Sequence, residues 1–447
     1  MDDFSDLRAS LDALIDAVLQ IVSDPKLEPR FRPRITTVQL VPDLSLLLSG
    51  PIAHTWPVAR SEEVIAIDNL EQFCEEQLSP LPQYQSLIKN LQQLQTPVDS
   101  KVAVAMLVHS CIQVKFPADR ISVVADWTAA LLGQPFRWTG KALLSGVSIE
   151  GSTLDIDDCL RLRHPVPDDF LERISENIPR FPRPTTHFSC VAEIKTLSLY
   201  GGEVQRKIES LASVLSFYDL ASAGVPRYSF RANTLRMVGG GELQSGAPVG
   251  VRFTSTISAS DIPLIREALE NWAGIIPTPL DTTFDAVGIA VNRYREALFG
   301  LGPWERVIFS AVSSLEALLS TSGVELQYRL ANRCALILKE TGRDGISVRN
   351  TLKEAYGIRS KYAHGEYVNR EKDLSPLARA TADISRQVII VASQLIPEYG
   401  KSKFLELLDD SMVNDERRTS LALLVFGVWM PKRPSARPEG GSNTPAN

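Results

Sequence analysis

Apolar residues recur three and four positions apart over residues 3–23. Leu7, Leu11, Leu14, Ile15, Val18 and Leu19 share one stripe there, and the spacing predicts an amphipathic helix that the prolines from Pro25 to Pro33 break. Residues 60–95 are polar, rich in Glu and Gln, and read as helical. Residues 101–115, KVAVAMLVHSCIQVK, are an apolar run that periodicity alone does not assign to helix or strand. Shorter apolar stretches follow. Segments 142–149 and 153–162 read as strands around a hairpin turn at Glu150-Gly151-Ser152, with further strands at 187–194, 226–237 and 249–257 and a helix over 203–219.

From about residue 285 the period becomes helical almost without interruption. One helix covers 286–299 and ends at Gly300; Gly302-Pro303 opens the next, proline suiting the first helical turn. In that second helix Trp304, Val307, Ile308, Ala311, Val312, Leu315, Leu318 and Leu319 make one apolar stripe. A third helix, over 324–340, turns Leu326, Leu330, Cys334, Ile337 and Leu338 inward, and a fourth, over 347–364, does so with Leu352, Ala355 and Tyr356. Ser375-Pro376 starts a fifth, with Leu377, Ile384, Val388, Val391 and Leu395 along one side. Short connections between such helices predict a bundle.

The expected fold class is therefore α+β. A mixed α/β region of unidentified fold covers 1–280, open to division into two subdomains and suited to sensing or targeting an unknown trigger or partner. A four- or five-helix bundle covers 285–400, a helical appendage 401–430, and a Pro-, Gly-, Ser- and Asn-rich tail expected to be disordered 431–447. No internal repeat is visible.

Composition narrows the function classes. The formal net charge is −6, which excludes a basic nucleic-acid coat over the whole chain and leaves room only for a local patch. Residues 285–400 hold 15 Lys and Arg against 13 Asp and Glu, a balance of +2 that leaves −8 for the rest. The bundle is thus the part best suited to a polyanion, although a solvated helix face accounts for the same difference. The five cysteines are widely spaced without a CxxC, as expected of buried thiols in a reducing cytoplasm. The acidic, amphipathic start is not a signal peptide, and no run approaches the roughly 18 apolar residues that span a bilayer. A cytoplasmic location without membrane contact is expected.

Most motifs with chemical potential fall away. Gly239-Gly240-Gly241 precedes Glu242 and lacks the Lys-Ser or Lys-Thr of a P-loop, so it reads as a turn. Asp155, Asp157 and Asp158 lack calcium-loop spacing. His54, His109, His164 and His187 are scattered, with no HExxH or Cys/His cluster and no GxSxG elsewhere. No metal or cofactor is expected.

The exception is Arg359-Ser360-Lys361-Tyr362-Ala363-His364-Gly365, at the end of the fourth bundle helix. A guanidinium and an imidazole on one short stretch can hold a phosphate and move a proton near neutral pH. Arg359 lies three positions after Tyr356 and seven after Leu352, on the apolar face, where an arginine is costly unless paired. Glu316, about 40° from Val312 around an ideal helix, is the candidate partner. His364 diverges from Arg359 by about 140° on the same ideal helix, so the helix must end or distort near it, or two copies must meet across a dimer axis. The structural alternative is a helix stop, with a histidine in the last turn, glycine as the left-handed cap, and Arg359 in an ordinary ion pair. Arg329 and Arg333, one turn apart on the third helix, could add a phosphate-facing patch or simply sit on a solvated face.

Three segments in order, RVIFSAVSSLEALLS, ELQYRLANRCALIL and LKEAYGIRSKYAHG, resemble the HEPN superfamily, most closely the Apea-like HEPN domains of prokaryotes. The resemblance covers about 285–396. It implies a homodimeric helical bundle and a metal-independent endoribonuclease with a composite R-x4-6-H site, in a family associated with antiviral defence and toxin-like systems. Carried onto this chain, His364 is the general acid or base, Arg359 stabilises the phosphate and Glu316 orients. Ser360, Lys361, Arg329 and Arg333 are candidate substrate contacts. Ser360 stands where ribonuclease members often carry Asn, Asp or His. Glu366 stands where some toxin members carry a modifiable tyrosine, with Tyr367 one place late. The alternative within the resemblance is a non-catalytic bundle that binds RNA or a protein, or serves only to dimerise.

Overall fold

A computed structural model describes residues 3–42, 60–67, 69–93, 98–113, 120–173, 188–233, 240–244, 251–272, 274–278, 285–320, 326–366 and 373–430. His54, His187, Gly239, Tyr367 and the tail from 431 lie outside these residues.

The class is α+β, with a C-terminal helical region. The chain opens with a helix, Asp3–Val22, whose Leu7, Leu11, Leu14, Ile15 and Val18 are buried as the stripe requires. Strands β1 (Arg34–Pro42) and β2 (Arg60–Ala66) pair antiparallel, and β1 also pairs antiparallel with the later short strand β7 (Leu171–Arg173). Residues 60–66 are thus strand rather than the expected helix. Pairing with β1 outweighs the helix preference of their glutamates, as tertiary context commonly overrides local propensity. Helices Pro82–Gln93, Ser100–Gln113 and Arg120–Leu131 follow. The ambiguous run at 101–115 is therefore helical; Ala103, Val104, Leu107, Val108 and Cys111 are all buried, and a helix with so wide an apolar surface shows little period.

The central layer is a six-stranded antiparallel sheet in the spatial order 240–244, 224–232, 136–145, 190–198, 160–163 and 153–155. Its strands are β3 (Phe136–Ser145), β5 (Thr153–Asp155), β6 (Leu160–Arg163), β8 (Cys190–Ser198), β9 (Gly224–Ala232) and β10 (Gly240–Gln244). The hairpin expected around Glu150-Gly151-Ser152 is absent. Strand β4 (Val147–Ile149) pairs in parallel with β11 (Ser255–Ile257), while β5 turns back on β6, so the tight turn lies between 155 and 160. There Asp157 accepts from the Cys159 and Leu160 amides at 2.6 and 2.7 Å, an Asx turn. Asp169, on a short 3-10 turn (Pro167–Phe170), ties the sheet together. It accepts from Lys141 of β3 at 2.5 Å and from both terminal nitrogens of Arg163 of β6 at 2.7 and 2.9 Å, across the intervening β8.

The Gly201–Tyr218 helix lies against β3, β8 and β9. It approaches closely at Gly140, where an added Cβ would stand 2.6 Å from Val204, so glycine sets the helix–sheet distance. The bundle helices are Ala286–Phe299, Trp304–Leu319, Leu326–Glu340, Gly345–Ala363 and Ser375–Tyr399, the last of which packs on the 201–218 helix. The Trp304–Leu319 helix is central, packing on 286–299, 345–363 and 375–399. Lys401–Asp410 and Asp415–Gly427 complete the described chain.

The two regions share one apolar core, from Leu7 to Val428. Polar contacts also cross between them. Arg386 donates to the Phe217 and Tyr218 carbonyls at 2.7 and 3.3 Å, Tyr294 donates to the Ser216 carbonyl at 3.0 Å, and Ser222 donates to the Leu298 carbonyl at 2.7 Å. Among the described residues no helix is long and apolar enough to cross a membrane.

Candidate functional site

The Gly345–Ala363 helix starts on Asp344, whose carboxylate accepts from the Ile346 and Ser347 amides at 3.1 and 3.2 Å. Val348, Leu352 and Ala355 are buried along its inner face. That register carries Arg359 toward the central helix, where its Nη2 meets Glu316 Oε2 at 2.8 Å. The ion pair expected from the two helical wheels is present. Both side chains are mostly buried, 25% and 17% exposed, so the pair is a tie across the bundle rather than a surface bridge.

Aromatic rings frame the guanidinium. Its carbon lies 5.5 Å from the Tyr356 ring centre and 5.7 Å from that of Phe309, and Phe309 in turn packs at 5.7 Å on Tyr362. Arg359 Nε is buried with no hydrogen-bond partner. Burial pushes the Tyr356 phenol pKa up and the neighbouring Glu316 carboxylate adds to this, with Arg359 opposing. Tyr356 thus stays protonated beside the pair. The aromatic frame was not picked out from the sequence, although Phe309 and Glu316 lie seven positions apart, two helical turns on one face.

The helix ends where the motif does. His364 is the C-terminal cap, with φ −90° and ψ 3°, and its amide donates to the Ser360 carbonyl. Gly365 follows at φ +69°, the left-handed conformation that a glycine adopts without strain. His364 and Lys361 are exposed, Ser360 is half-buried and Tyr362 is 36% exposed. Arg359 therefore faces inward and the imidazole sits at the solvent-facing end of the same helix.

The two arginines of the Leu326–Glu340 helix part company. Arg329 is exposed. Arg333 is 2% exposed; it donates to both carboxylate oxygens of Asp409 at 2.8 and 2.6 Å and to the Leu319 carbonyl. It is committed to joining this helix to Lys401–Asp410, and its burial departs from both readings of the sequence, the phosphate-facing patch and the solvated face. The sequence held the signal: position 333 lies three after Leu330 and four before Ile337, on the apolar stripe. Asp409→Ala should destabilise the protein by about 2 kcal/mol, because the buried guanidinium loses its partner, moderated by the partial exposure of Asp409. Urea unfolding measures this, and a midpoint equal to that of the wild type would contradict it.

Among the described residues no group of three or more His, Cys, Asp or Glu side chains is placed to hold a metal ion. Comparison of the chain with family models, curated proteins and solved structures returns no match in any of the three.

Proposed function

We propose that the helical bundle is a metal-independent endoribonuclease of the HEPN type, working as a cytoplasmic homodimer in a toxin-like or antiviral role. One observation carries the reading: Arg359 is braced by Glu316 across the bundle, and the exposed imidazole of His364 stands at the end of the same helix. In this reading the RNA 2′-hydroxyl attacks the adjacent phosphorus and the P–O5′ bond breaks, leaving a 2′,3′-cyclic phosphate and a 5′-hydroxyl. His364 transfers the proton, and Arg359 balances the charge that develops on the phosphate oxygens. The nucleophile belongs to the substrate, so the protein has to supply only acid–base chemistry and positive charge. Because Arg359 and His364 face different ways, a second copy completes the site. Lys361, Ser360 and Arg329 are the candidate contacts for the RNA strand.

The test is cleavage of total RNA and tRNA in EDTA, with the fragment ends identified. The wild type should leave cyclic phosphates and 5′-hydroxyls, and Arg359→Ala should cut at least about a hundredfold more slowly. Fragments with 5′-phosphates, or an unimpaired variant, would defeat the reading.

A second reading is favoured by the same ion pair. Arg359 is already bound to Glu316 and framed by two aromatic rings, as a purely structural tie would be. The bundle would then hold RNA or a protein partner without cutting. Under that reading the wild type binds labelled RNA or a partner and leaves RNA intact, and Arg359→Ala only lowers the melting temperature.

A further inference from the structure

A cavity of about 380 Å³ lies between the Gly201–Tyr218 helix, the start of β9 and the Ala286–Phe299 helix. It is where the mixed region meets the bundle, and it shares none of its lining with Arg359, Glu316 or His364. Its size falls in the range of small-molecule sites, about 300–1,000 Å³. Ala212, Ala223, Val225 and Phe299 give it apolar walls. The 201–218 helix lines it from Glu209 to Ser216, seven positions or about 10 Å of axis, so the space is long enough for an extended apolar body.

Two acids, Glu209 and Glu296, and two arginines, Arg295 and Arg306, line the cavity. Of the acids that line it, Glu296 is neutralised by Arg293 at 2.8 Å. Burial pushes the Glu209 pKa up, with Arg295 opposing, which makes Glu209 easier to neutralise than an exposed carboxylate. Arg306, by contrast, lines the cavity with a single hydrogen bond, to the Leu301 carbonyl at 3.0 Å. Next to it Arg252 donates to the Gly300 and Gly302 carbonyls and stacks at 4.9 Å on Trp304. Neither arginine has a carboxylate partner among the described residues. Burial and then the Arg306 charge lower the Arg252 pKa, so the two cations repel each other. Arg306 lines the cavity and Arg252 stands behind it, outside the lining, so an anion held by Arg306 would also relieve the repulsion between the two guanidiniums.

We propose that this cavity binds a small amphipathic anion, its apolar body along Ala212, Ala223, Val225 and Phe299 and its carboxylate or phosphate against Arg306. The site stands apart from the ribonuclease reading and would hold even if the bundle cuts nothing. Its position, lined by one helix of the mixed region and two of the bundle, suits a ligand whose occupancy is felt by both.

The experiment is isothermal titration of the full chain with octanoate, octyl phosphate and octylamine, repeated on Arg306→Gln and with circular dichroism to check its fold. Arg306 is exposed and outside the proposed catalytic machinery, so the variant should fold. Saturable one-to-one binding of octanoate or octyl phosphate, weakened about tenfold or more in Arg306→Gln and absent for octylamine, is the expected result. The tighter of the two anions distinguishes a carboxylate site from a phosphate site. Absence of saturable anion binding overturns the proposal, as does equal binding of octylamine or equal affinity in the folded variant. Should Arg306→Gln fail to fold, the comparison of octanoate with octylamine on the wild type decides alone.

Discussion

Under the ribonuclease proposal, His364→Ala should lower metal-independent RNA cleavage by about 10²–10⁴-fold while leaving the fold, and the proposed dimer, intact. The asymmetry follows from where the residue sits. Its side chain is exposed at the end of the Gly345–Ala363 helix, and what it contributes to that ending is a backbone amide bonded to the Ser360 carbonyl, which alanine supplies equally well. Gly365, which takes the left-handed turn, is untouched. Stability and activity should therefore separate cleanly at this position. At Arg359 they should not, since losing that side chain also strands Glu316, 17% exposed, without its cation. Single-turnover cleavage in EDTA together with scanning calorimetry of both variants measures the separation. Cleavage by His364→Ala at the wild-type rate would remove this residue from any catalytic role.

The largest effect on stability is expected from Asp169→Ala, about 3–5 kcal/mol. The Asp169 side chain is 1% exposed and accepts hydrogen bonds from Lys141, from Arg163 twice and from the Val166 amide. Removing it leaves two cations facing each other across the sheet, with Glu193, 2.7 Å from Arg163, as the only remaining carboxylate partner among the described residues. The same cluster makes stability depend on acid. Burial alone would raise the Asp169 pKa, but Arg163 and Lys141 outweigh it and hold the carboxyl below the usual range. A carboxyl with a folded-state pKa below its unfolded value contributes stability that is fully present above the unfolded value, about 3.9, and is lost as pH falls through the folded one. Asp383 and Asp409 are lowered too, so all three act in one direction. Urea midpoints of wild type and Asp169→Ala should therefore lie far apart at pH 7 and converge below about pH 4. A gap that persists undiminished at low pH would show that the loss comes from packing and not from charge.

The helical half was legible because each element carried its own instructions. Residues 286–299 are bounded by Asp285, which caps the Gly288 amide at 2.7 Å, and by Gly300, and the helix has those limits. Arg359 and Glu316 could be paired from helical geometry alone, since both lie beside stripes that have to face each other. The mixed region was less legible because its elements depend on distant partners. Nothing within residues 60–66 announces a strand; β1 makes it one. Residues 147–149 pair with 255–257, more than a hundred positions away, which no local turn rule reveals. Arg333 was misplaced for another reason: charge suggested solvent, whereas its position on the stripe meant burial beside an acid from a later helix. The cavity was invisible, because its walls come from separate segments, 209–225 and 292–306, that only the fold brings together.

The contacts at the end of the Gly201–Tyr218 helix bear on how such a chain can change over time. The last carbonyls of a helix lack partners within it. Here Ser216, Phe217 and Tyr218 find theirs in Tyr294 and Arg386, side chains supplied by the bundle. A front half exchanged for an unrelated one would leave the Tyr294 hydroxyl and Arg386 Nη1 without these acceptors, although Asp383 of the bundle would still neutralise the Arg386 charge. Recombination at the boundary near residue 285 is thus penalised, and the two halves are expected to have diversified together rather than been shuffled as interchangeable parts.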